Sequence, residues 1–326
     1  MKVKIILMTL ITLLSFGTKL MAQATTFTKV TFKNNNLKMA GNLYLPKDFN
    51  ESKKYPVIIT VHPGGGVKEQ TSGLYAQKMA EQGFVTLAFD ASHQGESEGL
   101  PRFLEDPTHR VEDIRSAVDY VTTLKFVDAE KIGLIGICAG GGYSINAAQT
   151  EHRIKAIAVA SPVSTGNKKG WDGKTPVLES LKTLEAVAKQ RTAEANGAEP
   201  IYVNYVPEKP DATTPNDLVE ATEYYRTPRA QHPNSTNLLL FTSLDKMLAF
   251  EAFANIETFL TQPILVMVGS KAGSRWQGEE IYKKAKSKKE LMVIDGATHM
   301  DLYDIPKYVE QVVEKTTIFF AENLKL

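Results

Sequence analysis

Apolar and polar residues alternate over residues 26–33 and again over residues 38–45, on either side of Asn34-Asn35-Asn36. That pattern predicts an antiparallel hairpin at a sheet edge. The pattern then changes. Residues 55–61 are a short, continuous apolar run, the signature of a strand buried on both faces, and 84–89 are the next buried strand; apolar strands follow over 132–137, 153–160 and 263–269, and 289–295 are the last strand. Helical patterns lie between them. Residues 74–82 form one, closed by Gly83, and Val111, Ile114, Val118, Val121 and Leu124 recur at helical spacing. Small residues over 143–148 and an amphipathic run over 309–324 supply two more. Strands alternating with helices predict a mostly parallel, doubly wound α/β sheet. Ligands bind at the carboxyl ends of such strands, and His62, Asp90 and Cys138 fall there.

Residues 164–236 break the rhythm. They are polar, rich in Lys, Glu, Thr, Asn and Pro, and carry Trp171, Tyr202, Tyr205, Tyr224 and Tyr225. A stretch that long is not a loop in a compact domain. It reads as a cap inserted after the strand that ends at Ala160, with helical pieces over 175–195 and 215–225. Its aromatics either line a pocket or bind the cap to the core. Repeats, heptads and low-complexity tracts are absent from the sequence.

The chain opens with Met1-Lys2-Val3-Lys4, an apolar run over residues 5–16, and Leu20-Met21-Ala22. A basic start, a short apolar stretch and a small terminal residue make a secretory signal, residues 1–22. The run is too short to span a bilayer. The protein is therefore expected in the periplasm or secreted, with residues 23–326 as the mature domain and no integral membrane segment left in it. The whole chain carries +1, and removing Lys2, Lys4 and Lys19 leaves −2. Near-neutral charge argues against nucleic acid as a partner. The one cysteine, Cys138, cannot form an internal disulfide.

The run over 132–137 ends in Gly136-Ile137-Cys138-Ala139-Gly140, and the small-residue helix follows at once. Strand, sharp turn and helix with a nucleophile at the apex is the G-x-S-x-G elbow, with Cys in place of Ser. Such a turn strains the apex and needs small flanking residues. A position beside a helix amino terminus is expected to favour the thiolate. Two plainer readings compete: a small buried cysteine in a glycine-rich turn, and a dinucleotide-binding turn. The glycines do not form G-x-G-x-x-G, and no P-loop Lys follows. His62-Pro63-Gly64-Gly65-Gly66 follows the strand over 55–61. Such a loop can turn backbone N–H groups towards a ligand oxygen. With Ala139, Gly64 and Gly65 are the oxyanion-hole candidates, while His62 reads as structural. His299 lies in a short loop after the last strand, a place suited to a catalytic base.

These residues resemble the α/β-hydrolase superfamily, and within it the dienelactone-hydrolase-like branch that carries Cys at the elbow. The resemblance rests on residues 62–66 with Lys68-Glu69-Gln70, on residues 90–97, on residues 136–142, and on Gly296-Ala297-Thr298-His299. It implies an α/β-hydrolase fold with Cys138 as nucleophile, His299 as base and Glu69 as a pocket residue that could contact the thiol. The family keeps an Asp after the strand that here spans 264–268. This chain has Gly269-Ser-Lys-Ala-Gly-Ser274 there, without a carboxylate. Three accounts stand. The Cys–His pair works without a third member; a carboxylate arrives from elsewhere, with Glu279 preferred over Asp295 and Asp301; or catalysis has been lost.

The leading expectation is an exported hydrolase of an ester, lactone or thioester, with a small molecule as its partner. No H-x-x-x-H spacing occurs and there is one Cys, so neither a metal nor another cofactor is implied. The alternatives are a non-catalytic binding protein on the same scaffold and, ranked last, a small-peptide hydrolase.

Overall fold

The computed structural model describes residues 27–166, 170, 171, 173, 174 and 177–325. The secretory signal read at residues 1–22 lies outside them. The chain runs β1 (Phe27–Asn34), β2 (Leu37–Tyr44), β3 (Tyr55–Val61), α1 (Thr71–Glu81), β4 (Val85–Phe89), α2 (Pro107–Thr123), β5 (Val127–Ile137), α3 (Ala139–Ala148) and β6 (Ile154–Ala160). An inserted region follows, with α4 (Val177–Ala195), β7 (Tyr202–Asn204), α5 (Asn216–Arg226), β8 (Leu238–Leu240), α6 (Leu244–Ala249) and α7 (Ile256–Phe259). The core resumes with β9 (Ile264–Gly269), α8 (Arg275–Lys284), β10 (Lys289–Ile294), α9 (Asp301–Asp304) and α10 (Pro306–Asn323).

Among these residues, eight strands form one sheet in the order β1-β2-β4-β3-β5-β6-β9-β10. The β1–β2 hairpin pairs antiparallel and sits at the edge, and β2 pairs antiparallel with β4. Asn35 turns the hairpin at φ 50°, a conformation Asn tolerates. From β4 onward every pairing is parallel. This is the mostly parallel α/β-hydrolase sheet. The continuous apolar runs are what a sheet covered on both faces requires. One face packs under Val111, Ile114 and Val118 of α2 and Ile145 of α3. The other packs under Tyr75 and Met79 of α1 and Val309, Phe319 and Phe320 of α10. Each such side chain taken fully out of water contributes about 1.5–3 kcal/mol.

After β3 the chain steps to β4 on one side, then returns to β5 on the other. The crevice at that reversal, beyond the carboxyl ends of β3 and β5, is where the topology opens a site. The inserted region lies over it. Its ribbon of β7 and β8 reaches Leu240, so the insertion runs past the expected limit at residue 236. It is pinned to the core by Arg229, whose Nε and Nη2 donate to Asp304 Oδ2 and Oδ1 at 2.8 and 2.6 Å. Tyr205 Oη donates to the buried Glu105 Oε2 at 2.8 Å, and Ser235 Oγ donates to the Gly65 carbonyl at 2.7 Å.

Candidate active site

Cys138 stands between β5 and α3 with φ 54° and ψ −123°. A non-glycine residue rarely holds that backbone, and here the surroundings enforce it. Its N–H donates to Ala160 O at 3.1 Å, and its carbonyl accepts from Gly141 and Val163 N–H at 2.9 Å each. The flanking glycines are required by space. A Cβ on Gly136 would come within 2.6 Å of Gly140 O, and one on Gly140 within 2.3 Å of Val61 O.

Two of the oxyanion-hole candidates, Ala139 and Gly64, share the cavity wall with Cys138. Ala139 opens α3, so its N–H has no partner within the helix. A Cβ on Gly64 would lie 3.9 Å from Ala139 Cβ, so the two residues are neighbours, and both line the cavity. Gly65 does not line it. It turns at φ 70° beneath the Tyr205 ring. The loop is fixed from below by His62, whose Nδ1 donates to Pro63 O at 2.7 Å while Nε2 accepts from Ala91 N–H at 3.0 Å. Arg110, buried on the Tyr143 ring, donates to His62 O at 2.6 Å. Both ring nitrogens of His62 are thereby used in the scaffold.

His299 is fully buried. Its Nδ1 lies 2.6 Å from Ser274 Oγ, and its Nε2 lies 3.3 Å from Tyr303 Oη. Tyr303 also stands on the cavity wall with Cys138, where its hydroxyl favours the thiolate. Burial pushes the imidazole down to about 4, against the pull of the Asp217 carboxylate. Burial likewise pushes the thiol up to about 11, outweighing the opposing influence of the Tyr303 hydroxyl and the Ala139 N–H. The expected thiolate beside a helix end is therefore corrected: the dipole is present, but the walls that exclude water favour the neutral thiol. At neutral pH the pair is thiol and neutral imidazole.

The cavity measures about 270 Å³. Cys138, His299 and Tyr303 form one part of its wall, and Trp171, Tyr205, Val206, Leu218 and Tyr225 of the inserted region form another. Gln277 adds a directed donor. Its Oε1 accepts from Ser164 N–H at 2.8 Å, which fixes the amide, and its buried Nε2 has no hydrogen-bond partner among the described residues.

The acid expectation is corrected too. Glu279 is half-exposed on α8 and accepts from Arg275 Nε at 2.8 Å, one helical turn back. Asp301 caps its own turn with Thr298, and Asp295 lies at the surface near Ser270. The partner of His299 Nδ1 is Ser274, at the end of the loop where the family keeps Asp. Glu69 is corrected as well. Its Oε1 pairs with Lys68 Nζ at 2.6 Å, and it is absent from the cavity wall. Sequence reasoning missed Ser274, Tyr303, Gln277 and Asp217. Only Tyr303 carried a signal, four residues after His299 and so one turn away. Among the described residues, no cluster of three or more His, Cys, Asp or Glu side chains is arranged to hold a metal.

Comparison with known proteins places the chain among hydrolases. The pattern of the X-Pro dipeptidyl-peptidase (S15 family) matches residues 35–301. The uncharacterised Escherichia coli (strain K12) protein YcjY is 43% identical over 302 residues, covering 91% of this chain and 99% of that one. A thiohydrolase of Aspergillus aculeatus, aneE, is 27% identical over 254 residues, 76% of this chain and 77% of its own. The crystal structure of the α/β hydrolase GrgF from Penicillium sp. sh18 superposes with a TM-score of 0.76 at 22% identity, over 92% of this chain and 99% of that one, a likeness of fold.

Proposed function

We propose a reaction for this chain, which belongs to the X-Pro dipeptidyl-peptidase (S15) family and so to the hydrolases: it cleaves a thioester, ester or lactone through Cys138 and His299. The observation that carries this reading is the gathering of Cys138, Ala139, Gly64, His299 and Tyr303 on one cavity wall, with Tyr303 Oη 3.3 Å from His299 Nε2. The thiol proton passes to His299 Nε2, directly or by way of the Tyr303 hydroxyl, as sulfur bonds to the substrate carbonyl carbon. The carbonyl π pair moves onto oxygen, where the two amides receive it. Removing one such donor costs about 2.7–4 kcal/mol. When the oxyanion collapses, the carbon–heteroatom bond breaks and the imidazolium proton goes to the leaving group. Neutral His299 then takes a proton from water, whose oxygen attacks the acyl-enzyme and regenerates the thiol.

Thioesters stand first among the substrates. A thiolate leaves without first taking a proton, so a thioester asks less of His299 as an acid than an ester does, and the relative aneE is named a thiohydrolase. The unpartnered Gln277 Nε2 suits an acyl group bearing an acceptor oxygen. Action outside the cytoplasm is part of the same proposal and rests on residues 1–22 alone.

The name of the S15 family favours a second reading, cleavage of short X-Pro peptides. One panel separates the two: acetyl and acetoacetyl thioesters, p-nitrophenyl esters and an X-Pro p-nitroanilide, each with wild type, Cys138→Ala and His299→Asn. Thioester or ester turnover lost in both variants supports the first reading. Turnover confined to the anilide would replace it with the second. A chain inert to all of them, with Cys138 unlabelled by iodoacetamide, would be a binding protein.

A further inference from the structure

Resting on that reading, we propose that Asp217, carried on α5 of the inserted region, is the counter-charge and positioning residue for His299, so that the base is complete only when the cap is seated. A carboxylate accepts hydrogen bonds only, and in a Cys–His–Asp arrangement it fixes the imidazole tautomer and stabilises the imidazolium. Ser274 accepts and donates, and carries no charge. It can hold Nδ1 in place, but it cannot supply the field. Asp217 can. It is buried, 3% exposed, on the cavity wall. Its Oδ2 accepts from Gly273 N–H at 2.8 Å, on the residue next to Ser274. The same oxygen accepts from Trp171 Nε1 at 2.6 Å, and the Trp171 ring packs on the His299 ring with centroids 4.7 Å apart. One carboxylate of the cap thus holds both supports of the imidazole: the loop that presents Ser274 and the ring that lies against it.

The groups around His299 are few. Ser274 faces it from the loop before α8, Tyr303 from α9, Cys138 from the elbow, and Trp171 and Asp217 from the cap. Asp217 is the carboxylate in that set. Its charge favours the imidazolium and disfavours the thiolate. Neutralising it should therefore act on the two groups with different consequences. His299 becomes a weaker base and transfers protons less well, while Cys138 ionises more easily.

The test is Asp217→Asn, with Asp217→Ser as a second neutral variant that keeps an acceptor for Gly273 should Asn fail to fold. Two quantities are read. One is kcat/KM and kcat against pH on the thioester found above. The other is the rate at which iodoacetamide labels Cys138, the one cysteine, at pH 8. The proposal expects kcat to fall about tenfold or more with KM within about twofold. It expects the acid limb of the pH profile to move to lower pH, and labelling to become faster. An unmoved acid limb with unchanged labelling would overturn it. So would a fall in turnover accompanied by lower melting temperature and slower labelling, which marks a structural tie and nothing more. Labelling needs no turnover, so it decides the role of Asp217 even if every substrate on the panel fails.

Discussion

Two buried polar clusters lie at the carboxyl edge of this sheet, and they are built in opposite ways. In the first, Lys68 Nζ donates to Asp90 Oδ2, Glu96 Oε2 and Glu69 Oε1 at 2.8, 2.6 and 2.6 Å. The Lys68 and Glu96 amides both donate to the Asp90 carboxylate at 2.8 Å. Burial alone would strip the ammonium of its proton, but the surrounding carboxylates outweigh it and hold the proton more tightly than usual. In the second, around Cys138 and His299, burial wins: both groups are neutral, and the space beside them is open. A cluster of paired charges fixes loops. Neutral groups around a void, with donors left over, are poised to receive a substrate.

Each side of that contrast can be broken. Cys138→Ala should abolish turnover by more than about 10⁴-fold and leave the urea midpoint near wild type, because it removes a nucleophile and not a packed charge. Lys68→Ala should do the reverse. Stranding Asp90 without its cation costs about 3–5 kcal/mol, read as a lower urea midpoint with an unchanged slope. Equal loss of stability in the two variants would dissolve the distinction.

The pH dependence sharpens it. With His299 held near 4 and Cys138 near 11, kcat/KM should stay flat from about pH 5 to pH 10. It should fall only as acid protonates the imidazole. A bell centred near neutrality would mean a preformed ion pair. The same burial has a stability sign. A histidine that is neutral when folded, with an ordinary value of 6.5, binds fewer protons folded than unfolded between about 6.5 and 4. Stability should therefore fall as pH drops through that window, with buried His62, also pushed well down by desolvation, adding to the trend. Thermal melts from pH 7 to pH 4 measure it.

The smaller effects lie in the supports. Ser274→Ala should lower kcat roughly two- to tenfold, the worth of one hydrogen bond to Nδ1, with KM unchanged. Gln277→Leu should leave acetyl thioester turnover within about threefold and reduce any preference for acetoacetyl thioester by a few-fold, as one donor to an acyl oxygen is lost.

The sequence by itself determined the sheet, the elbow and the order of Cys138 and His299 along the chain. The apolar runs of β3, β4, β5, β6 and β9 suit strands covered on both faces, and Gly136 and Gly140 mark a turn where a Cβ would strike the backbone of a neighbouring element. Nothing in the sequence revealed the ionisation state of Cys138, because desolvation depends on walls contributed by residues as distant as Tyr303. Glu279 was sought because carboxylates near the expected position are easy to find, yet the helical register of α8 turns it to Arg275 and solvent. A serine or a cap aspartate has no signature of its own. Tertiary structure alone decided that Ser274 meets the histidine and that Asp217 holds the Trp171 ring and the Gly273 amide beside it, because burial and approach between distant segments exist only once the cap lies on the sheet.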